Sequence, residues 1–407
     1  MTTEELRKQF PALGREVYGK PLIYLDNAAT TQRPLEVVRS MSESATFHNA
    51  NTHRAVHALA GEATRAYELA RERVREFIGA DSPDEIVFTS GTTASINLVA
   101  NSFGEVAFGH GDEILIAESE HHSDIIPWQL LAQRKGLKIV VLPVDETGRL
   151  QDEKLPGLIT ERTKLVCVAH VSNVLGLVNP IKEIVSIAHS KGVPVLVDGA
   201  QAVAHLKVSV KDLGCDFYAF SGHKMYAATG IGVLYAKKEL LDRMPPFMGG
   251  GEMIDTVGWD GSTYAPAPFK FEAGTPNINS VPSFVPAIDL IAEINKGETA
   301  LELDQIKHFV YEALVSDERI VLRGTTQNLD EKLPLFSFSV KGVHHEDLAL
   351  VMDKMGVALR SGHMCAQPLM TRYGVTGMLR ASFAPYNTFE EAKTFISSLD
   401  RAINLLK

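Results

Sequence analysis

Two stretches of this 407-residue chain run from apolar into polar residues: VLVDGAQ at Val195–Gln201 and FYAFSGHK at Phe217–Lys224. Short apolar runs of this kind are typical of strands buried in a parallel sheet. In an open α/β sheet, ligands bind in the crevice beyond the carboxyl ends of the strands. We therefore expect Asp198 and Lys224, one from each stretch, to face the same crevice.

An aspartate and a lysine in one crevice suit pyridoxal phosphate (PLP). The lysine can form a Schiff base with the cofactor aldehyde, and the aspartate can partner the pyridinium nitrogen. Either residue alone is weak evidence, because a single lysine in a turn is usually a surface residue. An aspartate after a strand is equally often a helix cap. Together with Gln201, the pair favours a PLP enzyme.

The composition is that of an ordinary globular protein, 45% hydrophobic and 22% charged. A net charge of -10 argues against nucleic acid or an anionic membrane as a partner. No apolar run approaches the roughly 18 residues of a membrane span, and the N-terminus does not resemble a signal peptide. Three cysteines without a CxxC motif argue against a disulfide scaffold, so we expect a cytoplasmic protein.

Helical and strand-like patterns alternate between about residues 60 and 240. An apolar helix face at Gly61–Ile78 precedes strand-like runs at Glu85–Thr89, Glu113–Ala117, Lys138–Val144, Lys164–Val171, Pro194–Val197, Phe217–Phe220 and Gly232–Tyr235. Asn179 and Pro180 are expected to cap and begin a helix that continues to about Lys191. This alternation predicts a mostly parallel sheet covered by helices on both faces.

The C-terminal part has a different pattern. A glycine- and proline-rich stretch at 245–282 predicts a long irregular region. Beyond it we expect helices at Pro286–Ile294 and Leu303–Ser316, strands at Leu335–Val340, Val357–Arg360 and Leu379–Phe383, and a last helix opened by the capping box of Thr388 and Glu391. These elements predict a smaller α+β domain. We place the large domain at residues 25–285 and the small domain at residues 1–24 and 286–407.

Two further motifs follow predicted strands. Gly91–Thr93 (GTT) precedes a helix-like segment whose N-terminus would bind a phosphate, although ordinary helix capping explains the motif equally well. The adjacent histidines of Glu120–His122 suggest either a metal site or an imidazole stacked on the PLP ring. Because no further ligands occur at metal-binding spacing, we predict no metal site.

Taken together, the motifs resemble those of class V aminotransferase-fold PLP enzymes (fold type I). The matching segments, in family order, are Leu25–Thr30, Gly91–Thr93, Glu120–His122, His170–Gly176, Asp198–Gln201, Ser221–Lys224 and Phe271–Pro276. The segment Arg360–Leu369 (RSGHMCAQPL) is similar to the active-site loop of group II, or SUF-type, cysteine desulfurases. The resemblance extends from about residue 5 to the C-terminus.

The resemblance implies roles for individual residues. Lys224 would form the Schiff base, Asp198 would partner the pyridinium nitrogen, and His121 would stack on the ring. The other residues implied to bind PLP are Thr92, Thr93, Gln201, Ser221, His223 and, in a homodimer, the partner subunit's Thr275. Those implied to bind or lie near the substrate are Asn173, Arg380, Arg360 and His53.

The implied activity is that of a cysteine desulfurase. L-cysteine would become L-alanine, with its sulfur held as a persulfide on Cys365 for an acceptor protein of an iron–sulfur cluster assembly system. The Cys365 thiolate would be the nucleophile, and His363 and Arg360 are close in sequence to assist it. The alternatives on the same fold are a selenocysteine lyase and a cysteine sulfinate desulfinase. A non-catalytic nucleotide-binding module has little support, because no glycine motif for nucleotides follows a strand.

Two positions depart from the family pattern. Met364 stands where the family usually has a second histidine, which removes a titratable side chain from the position before Cys365. Ala227 and Ala228 replace the usual Gly-Pro after the lysine. Neither change alters the residues that would form the Schiff base or the persulfide.

Overall fold

The computed structural model describes residues 1–407. Its strands are β1 (Glu16–Val17), β2 (Lys20–Pro21), β3 (Ile23–Tyr24), β4 (Ile86–Thr89), β5 (Glu113–Ala117), β6 (Lys138–Leu142), β7 (Thr163–Ala169), β8 (Val195–Asp198), β9 (Phe217–Ser221), β10 (Gly232–Ala236), β11 (Ile254–Gly258), β12 (Gly261–Tyr264), β13 (Ile320–Arg323), β14 (Leu335–Val340), β15 (Val357–Ala358), β16 (Arg360–Gly362) and β17 (Met378–Ser382). Its α-helices are α1 (Thr3–Arg7), α2 (Leu35–Phe47), α3 (Ala58–Ile78), α4 (Thr92–Asn101), α5 (Phe103–Ala107), α6 (Ile126–Lys135), α7 (Leu155–Leu158), α8 (Ile181–Ser190), α9 (Val210–Leu213), α10 (Lys238–Arg243), α11 (Phe284–Ile294), α12 (Glu298–Ser316), α13 (His345–Lys354), α14 (Gln367–Arg372) and α15 (Phe389–Leu406). None of these helices has the length and apolar character needed to cross a membrane.

Seven strands form the central sheet, in the spatial order β4-β10-β9-β8-β7-β5-β6. The five strands from β9 to β6 are parallel, and β10 is antiparallel to both of its neighbours. Parallel neighbours require a crossover connection, which helices such as α6 and α8 provide, whereas the short segment between β9 and β10 permits antiparallel pairing. The mostly parallel sheet predicted from the sequence is confirmed.

Alternate residues of the central strands belong to two different hydrophobic cores. In β7, Val166 and Val168 belong to a core of 63 buried residues. Leu165 and Cys167, which point the other way, belong to a core of 22 buried residues. Because both faces of the strand are buried, its sequence is an unbroken apolar run without polar alternation.

Three local predictions need correction. Helix α8 begins one residue later than expected: Pro180 is its N-cap residue, and Asn179 donates from Nδ2 to the Ala169 carbonyl oxygen (2.7 Å) without capping the helix. The single strand predicted at Val357–Arg360 is two strands, because β15 pairs with β3 whereas β16 pairs with β17. The region at 245–282 contains the hairpin β11–β12, whose residues are almost entirely exposed and lack the half-buried alternation of a sheet strand.

A second, antiparallel sheet has the order β13-β14-β17-β16. Its own core contains 19 buried residues, drawn from helices α12, α13 and α15, from the sheet and from the N-terminal Ile23 and Leu25. Helix α15 begins with the predicted capping box, in which the Glu391 N–H donates to the Thr388 hydroxyl (3.1 Å). This separate core agrees with a smaller α+β unit, and the residue boundaries of the two domains stay a prediction.

Lys332 lies where the two sheets meet and is only 2% exposed. Its Nζ donates to the Leu175 carbonyl oxygen (2.5 Å) and lies 5.5 Å from the centroid of the Phe336 ring. No carboxylate forms a salt bridge with it. Burial therefore lowers the pKa of Lys332 to about 7.

Replacing Lys332 by Met should change how stability depends on pH. Between about pH 7 and pH 10.5 the unfolded chain binds the Lys332 proton and the folded chain releases it. The stability of the parent therefore rises with pH across this window, and Met lacks that contribution. In thermal unfolding, Lys332→Met should gain most relative to the parent below about pH 7 and lose that advantage progressively between about pH 7 and pH 10.5. The exposed variant Lys207→Met is the control, and parallel curves for Lys332→Met and the parent would contradict the assignment.

Candidate active site

A cavity of about 270 Å³ lies at the edge of the central sheet where β7, β8 and β9 end. The register pairs Ala169 with Asp198 and Asp198 with Ala219, so these three strands end side by side. The segments that follow them in the chain therefore enter the same crevice. The predicted site residues that line this cavity are Thr92, Thr93, His121, Asn173, Asp198, Gln201, Ser221, His223, Lys224, Arg360, Cys365 and Arg380.

Lys224 and Asp198 line the cavity from neighbouring strand ends. The Asp198 side chain is buried, and its Oδ1 accepts a hydrogen bond from the Ala200 N–H (2.8 Å). Burial lowers the pKa of Lys224 and raises the pKa of Asp198, while the opposite charge of each residue counteracts the shift of the other. A lysine with a lowered pKa is more readily the neutral amine, which is the form that reacts with an aldehyde.

One end of the cavity is formed by the N-terminus of α4. The Thr92 N–H and hydroxyl both bond to the Ser221 hydroxyl, at 2.8 and 2.7 Å, and the Thr93 hydroxyl bonds to that of Ser123 (2.7 Å). The N-cap residue is Gly91, which has no side chain to cap the helix. Because the first N–H groups of a helix have no intrahelical acceptors and attract anions, this end fits a phosphate group.

Two backbone contacts hold this end of the cavity in shape. Strand β10 begins directly against the turn before α4, and a Cβ at Gly232 would lie 2.4 Å from the Gly91 Cα, so only glycine fits there. The His223 carbonyl oxygen accepts hydrogen bonds from the Thr31 N–H (3.1 Å) and from Arg33 Nη1 (3.3 Å). Burial also lowers the pKa of His223 to about 4, so its ring is neutral at physiological pH.

His121 presents a neutral ring to the cavity. Burial, assisted by the charges of Lys224, His122 and Arg380, lowers the pKa of His121 to about 3. Its Nδ1 accepts a hydrogen bond from the Ser123 N–H (3.0 Å), so in the neutral ring the proton is on Nε2. A neutral, flat ring of this kind suits the stacking role predicted for His121.

Arg380 extends from β17 into the cavity and is buried. Its Nη1 donates to the Asn173 carbonyl oxygen (2.8 Å) and its Nη2 to Asp26 Oδ1 (3.2 Å). Its Nε has no hydrogen-bond partner. Asp26 is also 3.8 Å from the guanidinium of the half-exposed Arg360. A buried guanidinium with a free N–H is suited to an anionic group such as a substrate carboxylate.

Cys365 is the only cysteine at the cavity. Met364 and Cys365 have φ values of 52° and 56°, a left-handed backbone that residues with side chains rarely adopt. The Met364 carbonyl oxygen accepts a hydrogen bond from Asn173 Nδ2 (2.7 Å), and the Met364 side chain is buried in the larger core. Cys167 and Cys215 are buried, and burial raises the pKa of both thiols. Cys365 is therefore the one thiol placed to react with a bound molecule.

Two predicted site residues do not line the cavity of their own chain. His53 bonds through Nε2 to Glu68 Oε1 (2.9 Å) and lies at a separate cavity, so its predicted closeness to the substrate is not realised within one chain. Thr275 lies at a third cavity, beside Phe247 and Met248. The resemblance implies that Thr275 binds the PLP phosphate in the partner subunit. Thr275 does not line the cavity of Lys224 in its own chain, which is consistent with that role.

The segment that carries Thr275 is fixed by a buried ion pair. Arg71 Nη1 and Nη2 donate to Glu272 Oε1 (2.7 Å) and Oε2 (2.9 Å), and the Phe88 N–H also donates to Oε1 (2.7 Å). Both charged side chains are almost fully buried. The paired charges and the additional hydrogen bond compensate for their loss of hydration.

Sequence reasoning missed two carboxylates behind the cavity. Glu120 Oε1 accepts from the Ala169 N–H (2.8 Å) and Asp124 Oδ1 from Trp128 Nε1 (2.8 Å), while the second oxygen of each carboxylate has no partner. Burial raises the pKa of both groups, which favours the neutral form of each carboxyl. The spacing of four residues between Glu120 and Asp124 is the one available signal, and it does not reveal burial.

Ser123, the partner of Thr93, could have been suspected because it follows the two histidines.

The whole chain is similar to known proteins in sequence and in fold. Residues 23–395 match the family described as Aminotransferase class-V. The chain is 46% identical over 404 residues to a "Cysteine desulfurase" of Cronobacter sakazakii, covering 99% of this chain and 98% of the relative. It is 43% identical over 406 residues to a "Probable cysteine desulfurase" of Vibrio cholerae, covering 100% of both chains. The fold matches the crystal structure of the cysteine desulfurase CsdA from Escherichia coli with a TM-score of 0.91 and 39% identity, over 100% of both chains. The chain therefore belongs to the class-V aminotransferase family.

Proposed function

We propose that this protein is a PLP-dependent cysteine desulfurase that converts L-cysteine into L-alanine and retains the sulfur as a persulfide on Cys365. The observation that carries this proposal is one cavity lined by Lys224, Asp198, Arg380 and Cys365. An amine, a carboxylate, a guanidinium and a thiol are the groups needed to bind an amino acid and to react with its sulfur. The full-length similarity to proteins named cysteine desulfurases supports the same activity.

When bound, PLP accepts the electron pair that is released at the substrate Cα. Lys224 would hold the cofactor aldehyde, Asp198 the ring nitrogen, and Ser221 with the N-terminus of α4 the phosphate. Gln201 donates one amide hydrogen to the Ala28 carbonyl oxygen (2.8 Å), which leaves its second N–H for the phenolic oxygen. The neutral ring of His121 would stack on the cofactor.

The substrate carboxylate would bind to Arg380 and Asn173. The free Nε of Arg380 and the buried position of its guanidinium favour a carboxylate over a neutral ligand. Arg360 is half-exposed, lines the same cavity and, like Arg380, lies close to Asp26. Together these groups would orient the amino acid with its sulfur towards Cys365.

Lys224, released from the aldehyde by the substrate amine, would be a neutral amine that takes the proton from the substrate Cα. The Cys365 thiolate then attacks the substrate sulfur, and a new S–S bond forms as the Cβ–S bond breaks. The electron pair of the broken bond stays on Cβ, which takes up a proton and becomes a methyl group. Lys224 then returns a proton to Cα, which completes alanine. The sulfur is oxidised as the carbon is reduced, so the step needs no external oxidant.

We infer that the functional unit is a homodimer. Phe247 and Met248 are exposed apolar residues at the cavity that contains Thr275, and Trp259 at the tip of the hairpin β11–β12 is fully exposed. Exposed apolar side chains of this size favour a protein partner. A second copy is the favoured occupant, because Thr275 would then reach the phosphate of the other subunit.

We also propose, from the resemblance alone, that the persulfide sulfur passes to an acceptor protein for iron–sulfur cluster assembly of the SUF type. A terminal persulfide sulfur is readily taken by a second thiolate, and Cys365 is partly exposed. The cytoplasmic location expected from the cysteine content stays a prediction.

Replacing Lys224 by Ala should abolish covalent attachment of the cofactor. The purified parent loaded with PLP should be yellow, and borohydride should fix the cofactor to the peptide that contains Lys224. Lys224→Ala should lose the visible absorption of the protein-bound Schiff base and all attachment to that peptide. The exposed variant Lys207→Ala should behave as the parent. A parent that binds no PLP would contradict the proposal.

Replacing Cys365 by Ser should leave cofactor binding intact and lower alanine formation from cysteine by at least about a hundredfold, because the nucleophile is lost. Mass spectrometry of the parent after cysteine addition should find one added sulfur on Cys365, and a thiol acceptor should remove it. Cys215→Ala, far from the cavity lining, should keep both properties. Unchanged cysteine turnover by Cys365→Ser would rule out the persulfide step.

Replacing Thr275 by Val should weaken PLP binding by about tenfold without changing the mass in solution, since a phosphate hydrogen bond is lost. Light scattering should give the mass of two chains for the parent and the variant. The exposed Thr394→Val, on the outer face of α15, should bind PLP as the parent does. A single-chain mass for fully active parent protein would contradict the shared site.

A further inference from the structure

His122 has no role in the proposed chemistry, yet it contacts the Cys365 loop twice. Its backbone N–H donates to the Cys365 carbonyl oxygen (2.6 Å), and its ring Nε2 accepts from the Gln367 N–H (3.0 Å). Gln367 is the first residue of α14, and no side chain of the preceding residues caps this helix. The first N–H groups of a helix need an external acceptor, so the His122 ring supplies one from a distant part of the chain.

The loop needs this external support because its own backbone is strained. Met364 and Cys365 are consecutive residues in the left-handed region. Such a conformation persists only where the surrounding structure over-determines it. Asn173 holds the Met364 carbonyl oxygen, and His122 holds the next carbonyl oxygen and the Gln367 N–H. Two residues of the large-sheet side therefore fix three backbone groups around the thiol.

A metal site is the obvious alternative for these residues. The Cys365 sulfur and one ring nitrogen each of His122 and His363 lie within 4.8 Å of one another. A histidine that ligates a metal donates its other ring N–H to a neighbouring acceptor. In this structure a ring nitrogen of each histidine accepts a hydrogen bond instead of donating one. His122 Nε2 accepts from the Gln367 N–H, and His363 Nδ1 accepts from the Cys365 N–H (3.1 Å). Each ring nitrogen that accepts one of these hydrogen bonds has its lone pair engaged and could ligate a metal only by giving up that bond.

The neutral state of His122 agrees with this hydrogen-bond pattern. Partial burial and the neighbouring His363 lower the pKa of His122. A neutral ring with its hydrogen on Nδ1 keeps the Nε2 lone pair for the Gln367 N–H.

We propose that His122 is a positioning residue: its ring caps α14 and thereby holds the Cys365 sulfur over the cavity for attack on the substrate sulfur. The proposal rests on the proposed function, because it assumes that Cys365 is the nucleophile. A displacement of a reacting group by about 1 Å can lower a rate about a hundredfold. Loss of the ring acceptor should therefore slow persulfide formation without weakening substrate or cofactor binding.

Two substitutions separate this role from general packing. In His122→Gln the side-chain carbonyl reaches the former position of Nε2, whereas in His122→Asn it reaches only the position of Nδ1. Both variants should keep the PLP absorption spectrum of the parent. His122→Gln should keep the parental kcat, while His122→Asn should lower kcat by about tenfold to a hundredfold with KM changed by less than about threefold.

Hydrogen exchange provides a readout that does not depend on turnover. The peptide containing residues 363–370 should exchange faster in His122→Asn than in the parent, and His122→Gln should restore its protection. His344→Asn is the matched control: the exposed His344 ring accepts the Glu346 N–H (3.3 Å) at the start of α13 and does not line the cavity. Its loss should leave kcat and the 363–370 peptide unchanged.

The outcomes distinguish this proposal from the proposed function. Equal exchange and equal kcat in His122→Asn and the parent would overturn the positioning role, and so would a loss of kcat in His122→Gln equal to that in His122→Asn. If the parent formed no persulfide on Cys365, the proposed function would fail. The exchange difference would then still show whether the His122 ring holds the loop.

Discussion

The parallel register of β7, β8 and β9 is the constraint on which the active site depends. Ala169, Asp198 and Ala219 are aligned across the three strands, so the polar segments that follow the strands all begin at the same edge of the sheet. Asp198 and Lys224 thereby meet in a largely dehydrated crevice. Burial disfavours the charged form of each residue, and the attraction between the two opposite charges partly compensates for this. That balance gives a lysine that can react and an aspartate that can hold a cationic ring nitrogen.

The second sheet completes the cavity from the other side. Arg380 comes from β17, and Cys365 follows β16, yet both side chains lie beside residues of the large sheet. The contacts across this boundary include three hydrogen bonds to backbone carbonyl oxygens: Arg380 to that of Asn173, Asn173 to that of Met364, and Lys332 to that of Leu175. Directional bonds of this kind fix relative position more closely than apolar contact does.

The charges around the cavity favour an anionic ligand. Arg380 is buried with a free Nε, and the N-terminus of α4 adds the positive end of a helix dipole to the same cavity. The histidines nearby are neutral, since burial lowers the pKa of His121 to about 3 and of His223 to about 4. They supply flat rings and hydrogen bonds without adding charge. A ligand that carries a phosphate and a carboxylate matches this distribution.

The sequence by itself determined the strands, the sheet type and most of the cavity lining. Apolar runs with polar ends mark buried parallel strands, and the carboxyl ends of such strands share one crevice, so Asp198 and Lys224 could be predicted to converge. Asn173 and most of the other lining residues were predicted from the resemblance to class V aminotransferase-fold enzymes. The motif around Cys365 indicated the chemistry although nothing in its local sequence fixes where the loop lies. The N-cap of α8 and the break between β15 and β16 at Leu359 were not predicted, because hydrogen bonds to distant segments decide them.

Only the tertiary structure decided which side chains are deprived of water and which backbone groups they meet. The burial of Glu120 and Asp124 depends on packing against β7 and α6, which the local sequence does not show. In the sequence, His122 is simply one of two adjacent histidines. Its hydrogen bond with Gln367 joins residues 245 positions apart. Thr275 and His53 lie outside their own cavity, which no local pattern reveals. Local sequence encodes periodicity and turns, whereas burial and long-range hydrogen bonds exist only after the chain has folded.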